Sequence, residues 1–165
     1  MKNLWAPWRM KFVKSVHKLN RNKCIFCSML KSPVKNDKKN HLVYRGKNAF
    51  IILNIYPYSN GHLMVIPKRH IADFTLLTVP EFTEMFTLLQ RCIKSLKKIY
   101  RPDGFNIGLN LGKSAGAGID KHLHIHLVPR WSGDINFMPV INETKVLPEL
   151  LDATYTKLKN TLKLL

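Results

Sequence analysis

At 165 residues, 45% of them hydrophobic and with no sustained low-complexity tract, the chain has the size and composition of one domain with its own core, which excludes a disordered or collagen-like polypeptide. No segment approaches the roughly 20 apolar residues of a membrane span, and the opening MKNLWAPWRMKF lacks the apolar centre of a secretory signal, so a soluble cytosolic protein is expected. The formal net charge of +17 favours anionic partners, whether nucleotides, nucleic acids or acidic membranes; much of it is lysine dispersed over loops and helix exteriors, so it supports a function without choosing one.

Residues 1–23 read as an N-terminal arm in which Trp5, Pro7 and Trp8 are expected to serve packing or dimer contacts. Three cysteines is an odd number, and Cys24-Ile25-Phe26-Cys27 has a spacing that in a reducing compartment suggests a metal or redox site rather than a disulfide framework. Residues 31–40, KSPVKNDKKN, form a polar loop, the one linker-like stretch. Short apolar-rich runs bounded by Gly, Pro, Asn or Lys predict strands over residues 41–44, 49–53, 62–67, 105–111 and 122–129. The short turn at residues 46–48 and the loop over 54–61 suggest antiparallel neighbours.

From Pro80 to Tyr100, Phe82, Met85, Phe86, Leu89, Cys92, Ile93, Leu96 and Ile99 recur at three- and four-residue steps, which predicts an amphipathic helix that closes before Pro102-Asp103-Gly104. Cys92 is expected to be packing. A last helix over 148–165 places Leu151, Tyr155, Leu158 and Leu162 on one side. The pattern is α+β in a single domain.

The chemistry gathers in HLHIHLVPR, residues 122–130. In an extended strand His122, His124 and His126 point to one face while Leu123, Ile125 and Leu127 point to the other. Before it, GLNLGKSAGAGIDK crowds Gly112, Gly116 and Gly118 into a short loop, where glycines let successive amides point into one concavity and bind phosphate oxygens. Imidazole can be a neutral nucleophile near pH 7, its reference pKa being about 6.5, and it can also donate to a developing negative charge. Three alternating histidines also fit three ligands of a catalytic zinc, but that leaves the glycine loop unexplained. Isolated histidines such as His17 and His41 read as ordinary polar residues.

HLHIHLV fits the signature of the histidine triad, or HIT, superfamily, alternating His with apolar residues, and Asn54 with GHLMVIPKRH (residues 61–70) resembles that family's second signature. LWAPWR (residues 4–9), CIFC and PRWSGDINFM (residues 129–138) resemble the branch that includes bacterial diadenosine tetraphosphate phosphorylases. The resemblance implies a five-stranded antiparallel sheet, usually paired into a homodimer, acting on the α-phosphate of a nucleotide such as a dinucleoside polyphosphate. Carried over residue by residue, it makes His124 the nucleophile that forms a nucleotidyl-histidine intermediate. His126 would hold phosphate or the leaving group, and His62 is the fourth histidine beside the triad. Asn54 falls at the nucleoside contact, Asn110 and the amides of Gly116, Ala117 and Gly118 at the phosphate, and Trp131 is expected to face a nucleobase. The chain departs from many relatives in having Ala117 and Gly118 where they carry a Gln, Ser or Thr, which puts leaving-group protonation in doubt.

Zinc-containing relatives in the superfamily complete the CxxC pair with a His after the GH strand and with the first His of the triad. Those positions are His70 and His122, so the resemblance implies a structural zinc on Cys24, Cys27, His70 and His122. The other functions in play are a nucleoside phosphoramidase or deadenylase of the same superfamily, and a non-catalytic nucleotide- or RNA-binding module. The last is disfavoured because binding alone does not call for a nucleophile.

Overall fold

The structure, a computed structural model, describes residues 24–134 and 147–163. The expectations for Trp5, Pro7, Trp8 and His17, and the end of the motif that runs on to Met138, lie outside the described residues.

The regular elements are α1 (Ile25–Lys31), β1 (Leu42–Arg45), β2 (Ala49–Leu53), β3 (Leu63–Pro67), α2 (Val79–Tyr100), β4 (Gly104–Leu109), β5 (Ile125–Arg130) and α3 (Leu151–Lys163). The strands form one sheet in the order β1-β2-β3-β5-β4 with every neighbouring pair antiparallel, the α+β architecture expected.

Alternation along the strands separates two cores. Ala49, Ile51 and Leu53 of β2, Leu63 and Val65 of β3, and Ile125 and Leu127 of β5 pack on the face covered by α2 and α3, against Met85, Leu89, Cys92, Leu96 and Leu158. Phe50, Ile52, Met64 and Ile66 point the other way and are covered by Phe26, Ile25, Met29 and Leu30 of the α1 segment. Met64 pairs with His126 across β3 and β5, so the histidines belong to this second face. A side chain packed on the helical face supports the sheet; one on the α1 face borders the site.

Thr78 and Glu81 form a reciprocal capping box at the start of α2, and Arg101, in the left-handed conformation at φ 46°, ends it. Glu81 also takes the Arg69 guanidinium at 2.8 and 2.9 Å, which ties the segment after β3 to the helix start. That guanidinium, first, holds the Glu81 carboxyl down at about 2.

Three local expectations need correction. The strand expected over 122–129 begins at Ile125: Pro67, at the end of β3, has no N–H for the ladder, its carbonyl is taken by the His122 ring at 2.9 Å, and the Leu123 amide turns to Ile71 O at 2.6 Å. The CIFC pair sits at the start of a helix, α1, that no periodicity announced. The polar loop of residues 31–40 is not a linker. Asp37 is buried under the Arg45 guanidinium at 2.7 Å, which also bonds the carbonyls of Leu30 and Ser32.

Candidate functional site

Each histidine of the triad has its ring fixed by a different acceptor or donor, and these contacts decide which nitrogen carries the proton. His124 is buried beside the Phe26 ring, with Nδ1 2.8 Å from the carbonyl of His122. A carbonyl only accepts, so Nδ1 bears the proton and Nε2 keeps its lone pair. Burial lowers the His124 pKa against the opposing pull of that carbonyl, so the ring is held neutral.

His62 is fully buried at the start of β3, and its Nδ1 accepts the Tyr58 backbone N–H at 3.1 Å while the Tyr58 ring stacks on it at 5.0 Å. In the neutral ring the proton therefore sits on Nε2, which lies 3.0 Å from Nδ1 of His126. His126 accepts there, and its remaining proton is on Nε2. Burial, with His124 beside it, pushes the His126 pKa down to about 4, so this ring too is neutral near pH 7. The pair is thus ordered: one lone pair on His124 and one N–H on His126, on rings 4.9 Å apart.

The turn that presents His62 depends on Gly61. Its φ of +77° disfavours an L side chain, and an added Cβ would come within 2.7 Å of Leu96 Cδ2. Ser59 anchors the same turn by donating to Pro129 O at 2.7 Å. Asn54 opens this loop; its Oδ1 takes the Tyr56 N–H at 2.9 Å and its Nδ2 lies 3.8 Å from Met64 Sδ, beside the strand pair that carries His126.

Asn110 follows β4 directly and leads into the glycine loop, where Gly112 and Gly116 hold φ of +81° and +85° about a short 3-10 turn. Ile119 packs on the Phe26 and Met64 cluster, so the loop folds over the histidine face. The Gly116 amide is spent on Lys113 O at 2.9 Å. Among the described residues no backbone carbonyl takes the amides of Ala117 or Gly118.

The structure does not bring Trp131 into this cluster. It is half-buried just past the end of β5, seven residues beyond His124, which at ~3.3 Å per residue is on the order of 20 Å away.

A second constellation lies at the other end of the triad. The His122 Nε2–H donates to Pro67 O at 2.9 Å, which turns Nδ1 towards Cys24 Sγ at 3.2 Å, Cys27 Sγ at 3.6 Å and His70 Nδ1 at 3.2 Å. Cys27 Sγ and His70 Nδ1 are 3.4 Å apart, and all four ligand atoms lie within 4.8 Å of one another. Tetrahedral zinc bound at about 2.0 Å to nitrogen and 2.3 Å to sulfur separates its ligands by roughly 3.3 to 3.8 Å, so the cluster fits such an ion. The ring nitrogen of His122 away from the cluster is fixed by a carbonyl, the arrangement metal-binding imidazoles favour. Burial, then Cys24 beside it, pushes the Cys27 thiol up, a penalty that a bound cation removes.

All four sequence-predicted metal residues therefore converge, as do His62, His124 and His126. Sequence reasoning missed Tyr58, which orders the His62 ring, and Phe26, whose ring edges both His122 and His124. The position of Phe26 between the two cysteines was the available signal. Nothing in the sequence singled out Tyr58.

The HIT domain model matches residues 35–133. AP-4-A phosphorylase of Mycobacterium tuberculosis is 40% identical over 157 residues, covering 93% of this chain and 80% of that protein. The asymmetrical bis(5'-nucleosyl)-tetraphosphatase of Schizosaccharomyces pombe is 32% identical over 56% of this chain and 50% of its own. Among solved structures, a zinc-bound histidine triad family protein from Mycobacterium smegmatis superposes with a TM-score of 0.67 at 27% identity, covering 86% of this chain and 94% of that one. With its sheet order, its ordered histidines and these matches in agreement, the chain belongs to the HIT domain family.

Proposed function

We propose that the protein is a nucleotide hydrolase or phosphorylase that cleaves dinucleoside polyphosphates, diadenosine tetraphosphate foremost, at an α-phosphate through a covalent nucleotidyl-histidine intermediate. The observation that carries this reading is the lone pair on Nε2 of a buried, neutral His124 beside the N–H of His126. His124 Nε2 attacks the α-phosphorus and the bond to the leaving nucleotide's oxygen breaks. The His126 Nε2 proton faces the oxygen on which charge develops, a task that Ala117 and Gly118 cannot share through a side chain. The amides of Ala117 and Gly118, with Asn110, stabilise the equatorial oxygens. Water or inorganic phosphate then attacks phosphorus, the P–N bond breaks, and His124 regains its lone pair. The 40% identity to AP-4-A phosphorylase over most of both chains supports the same substrate class.

Cys24, Cys27, His70 and His122 would hold one zinc ion, whose contribution is structural: it joins the start of α1, the segment after β3 and the approach to β5. The zinc-bound Mycobacterium smegmatis neighbour supports that reading. A homodimer is supported by β4, an edge strand whose Ile107 is 48% exposed, and by the exposed Phe82–Phe86 stack on α2.

The test is incubation with diadenosine tetraphosphate with and without inorganic phosphate. ADP plus ATP only when phosphate is present identifies a phosphorylase; AMP plus ATP identifies a hydrolase. No turnover of this or any related nucleotide by folded protein that still binds AMP would overturn the enzymatic reading in favour of a binding module.

A further inference from the structure

The catalytic face does not account for where the positive charge lies. Lys94, Lys97, Lys98 and Arg101 follow one another at steps of three, one and three residues, which places them on one outward side of α2, and all four are exposed. At about 1.5 Å per residue they span about 10 Å of the helix axis and its cap. Thr83, Thr87 and Gln90 continue the same side towards the helix start and are exposed as well. This ridge lies across the sheet from His124 and His126, because α2 packs on the Leu63, Val65 and Leu127 face while the histidines share the Met64 face. Its lysines therefore cannot reach a phosphate held at the triad.

Among the described residues none of these four cations has an ion-pair partner. Solvated helix faces ordinarily mix signs, and like charges three or four residues apart repel. The carboxylates bordering α2 are committed elsewhere: Glu81 to Arg69, Glu84 to the amides of Lys47 and Asn48, and Glu149 to Tyr100, Thr154 and Lys157. Two of the cations, Lys97 and Lys98, lie in the last turn and gain from the helix dipole, but that does not explain Lys94; Asp103, two residues past Arg101, accepts the Ser132 N–H at 2.7 Å.

We infer that the outward side of α2, Lys94, Lys97, Lys98 and Arg101 with Gln90 and Thr87, is a binding surface for the phosphate backbone of a nucleic acid, separate from the catalytic face. Cations in a row with amide and hydroxyl groups alongside are the side chains that contact phosphates without reading sequence. An interfacial membrane helix would carry apolar residues along the side it buries, and a protein-binding patch would carry an apolar or aromatic anchor. The row of Thr83, Thr87, Gln90 and the four cations is itself polar or cationic; the exposed Phe86 borders it one turn before Gln90 and stacks on Phe82 towards the helix start.

The experiment measures anisotropy of a labelled single-stranded RNA 20-mer of mixed sequence, titrated with full-length protein across a salt series. The comparison is between the variant carrying Lys94→Gln, Lys97→Gln, Lys98→Gln and Arg101→Gln and a control with equal charge loss, Lys31→Gln, Lys35→Gln, Lys38→Gln and Lys39→Gln. Circular dichroism and a thermal melt verify that both are folded. The α2 variant is expected to lose roughly tenfold to a hundredfold in affinity and to flatten the log–log salt slope by about 2 to 3, since each neutralised phosphate contributes about 0.7 for single strands. The control should lose little, turnover of diadenosine tetraphosphate should be unchanged in both, and excess AMP should leave bound RNA in place. Equal losses in the two variants, displacement of RNA by AMP, or RNA binding absent at 50 mM salt would each overturn the assignment. So would capture by vesicles containing phosphatidylserine, or by an acidic peptide, that depends on the α2 cations and exceeds RNA binding.

Discussion

The ring of His62 donates from Nε2 to Nδ1 of His126 across 3.0 Å, and the Tyr58 backbone N–H fixes the direction of that bond from the other side of the His62 ring. The residue outside the triad thereby decides which nitrogen of a triad member carries the proton. His62→Phe keeps an aromatic ring in the buried slot under Tyr58 but leaves His126 Nδ1 without its donor. Since such a bond is worth about 1 to 3 kcal/mol when a buried partner is left unsatisfied, kcat should fall by roughly tenfold or more. KM should move little, because Asn54 and the loop amides remain. His62→Gln, which can still donate, should recover part of the loss. A steady-state comparison of the three proteins reads this out, and an unchanged kcat for His62→Phe would remove His62 from the mechanism.

The nucleophile itself gives the sharper kinetic test. His124→Ala should abolish turnover while mononucleotide binding persists through the loop. Loss of one transition-state donor costs about 10² to 10³ in rate and loss of a covalent nucleophile more. Near-normal activity in that variant would exclude the intermediate.

His126 also predicts how stability depends on pH. Burial lowers its pKa from 6.5 in the unfolded chain to about 4 in the folded one. Above pH 6.5 the ring is neutral in both states and costs nothing. As pH falls below 6.5 the unfolded state takes up the proton first, so stability is lost progressively until the folded ring titrates near 4. The loss from this group totals roughly 3 kcal/mol. Urea melts at pH 7.5 and 5 should show a smaller difference for His126→Gln than for the unaltered protein. Equal differences would mean that His126 titrates normally in the fold.

What the sequence made legible, and what it did not, follows the range of the interactions. β2 was read to the residue and α2 to within one, because β2 is apolar on both faces and α2 is periodic over many turns. The convergence of His62 and His126, sixty-four residues apart, and of CIFC with His70 and His122 was legible only through the family motifs; no local pattern encodes it. Tertiary contacts alone decide the start of β5, which Pro67 shortens, the closure of residues 31–40 by the Asp37–Arg45 pair, and the ring orientation supplied by Tyr58. The helix of CIFC escaped notice since its seven residues are too few for periodicity to show.

Trp131 was expected at a nucleobase, and its position past the end of β5 bears on that expectation. Within one chain it stands too far from His124 to stack on the base of the nucleotide whose α-phosphate is attacked. Trp131→Ala should therefore leave AMP affinity within about twofold. If the second nucleoside of a dinucleotide reaches it, affinity for a non-hydrolysable diadenosine tetraphosphate analogue should drop by the ~1 to 3 kcal/mol of a lost stack. Calorimetry with both ligands separates the cases, and a large loss of AMP binding would contradict the separation implied by the extended run of β5.

The Cys24, Cys27, His70 and His122 cluster sets His122 apart from the other two histidines of the triad. His122 turns its Nδ1 lone pair towards Cys24, Cys27 and His70, whereas His124 has its Nδ1 held by the His122 carbonyl and keeps its lone pair on Nε2, so the two histidines of HLHIH have different partners. A zinc ion on the four ligands would tie the start of α1, the segment after β3 and the approach to β5 together. Structural zinc can be worth on the order of 10 kcal/mol in small metal-dependent domains, and its removal should appear chiefly as lost stability. Protein purified without chelator should contain about one zinc per chain by the four-ligand fit. Cys24→Ser and His122→Ala should lose the ion and melt at markedly lower temperature, and chelation of the unaltered protein should reproduce that shift. His124→Ala should keep both its metal and its melting temperature while losing turnover. A metal-free protein, or zinc lost from the His124 variant, would show that the histidines are not divided in this way.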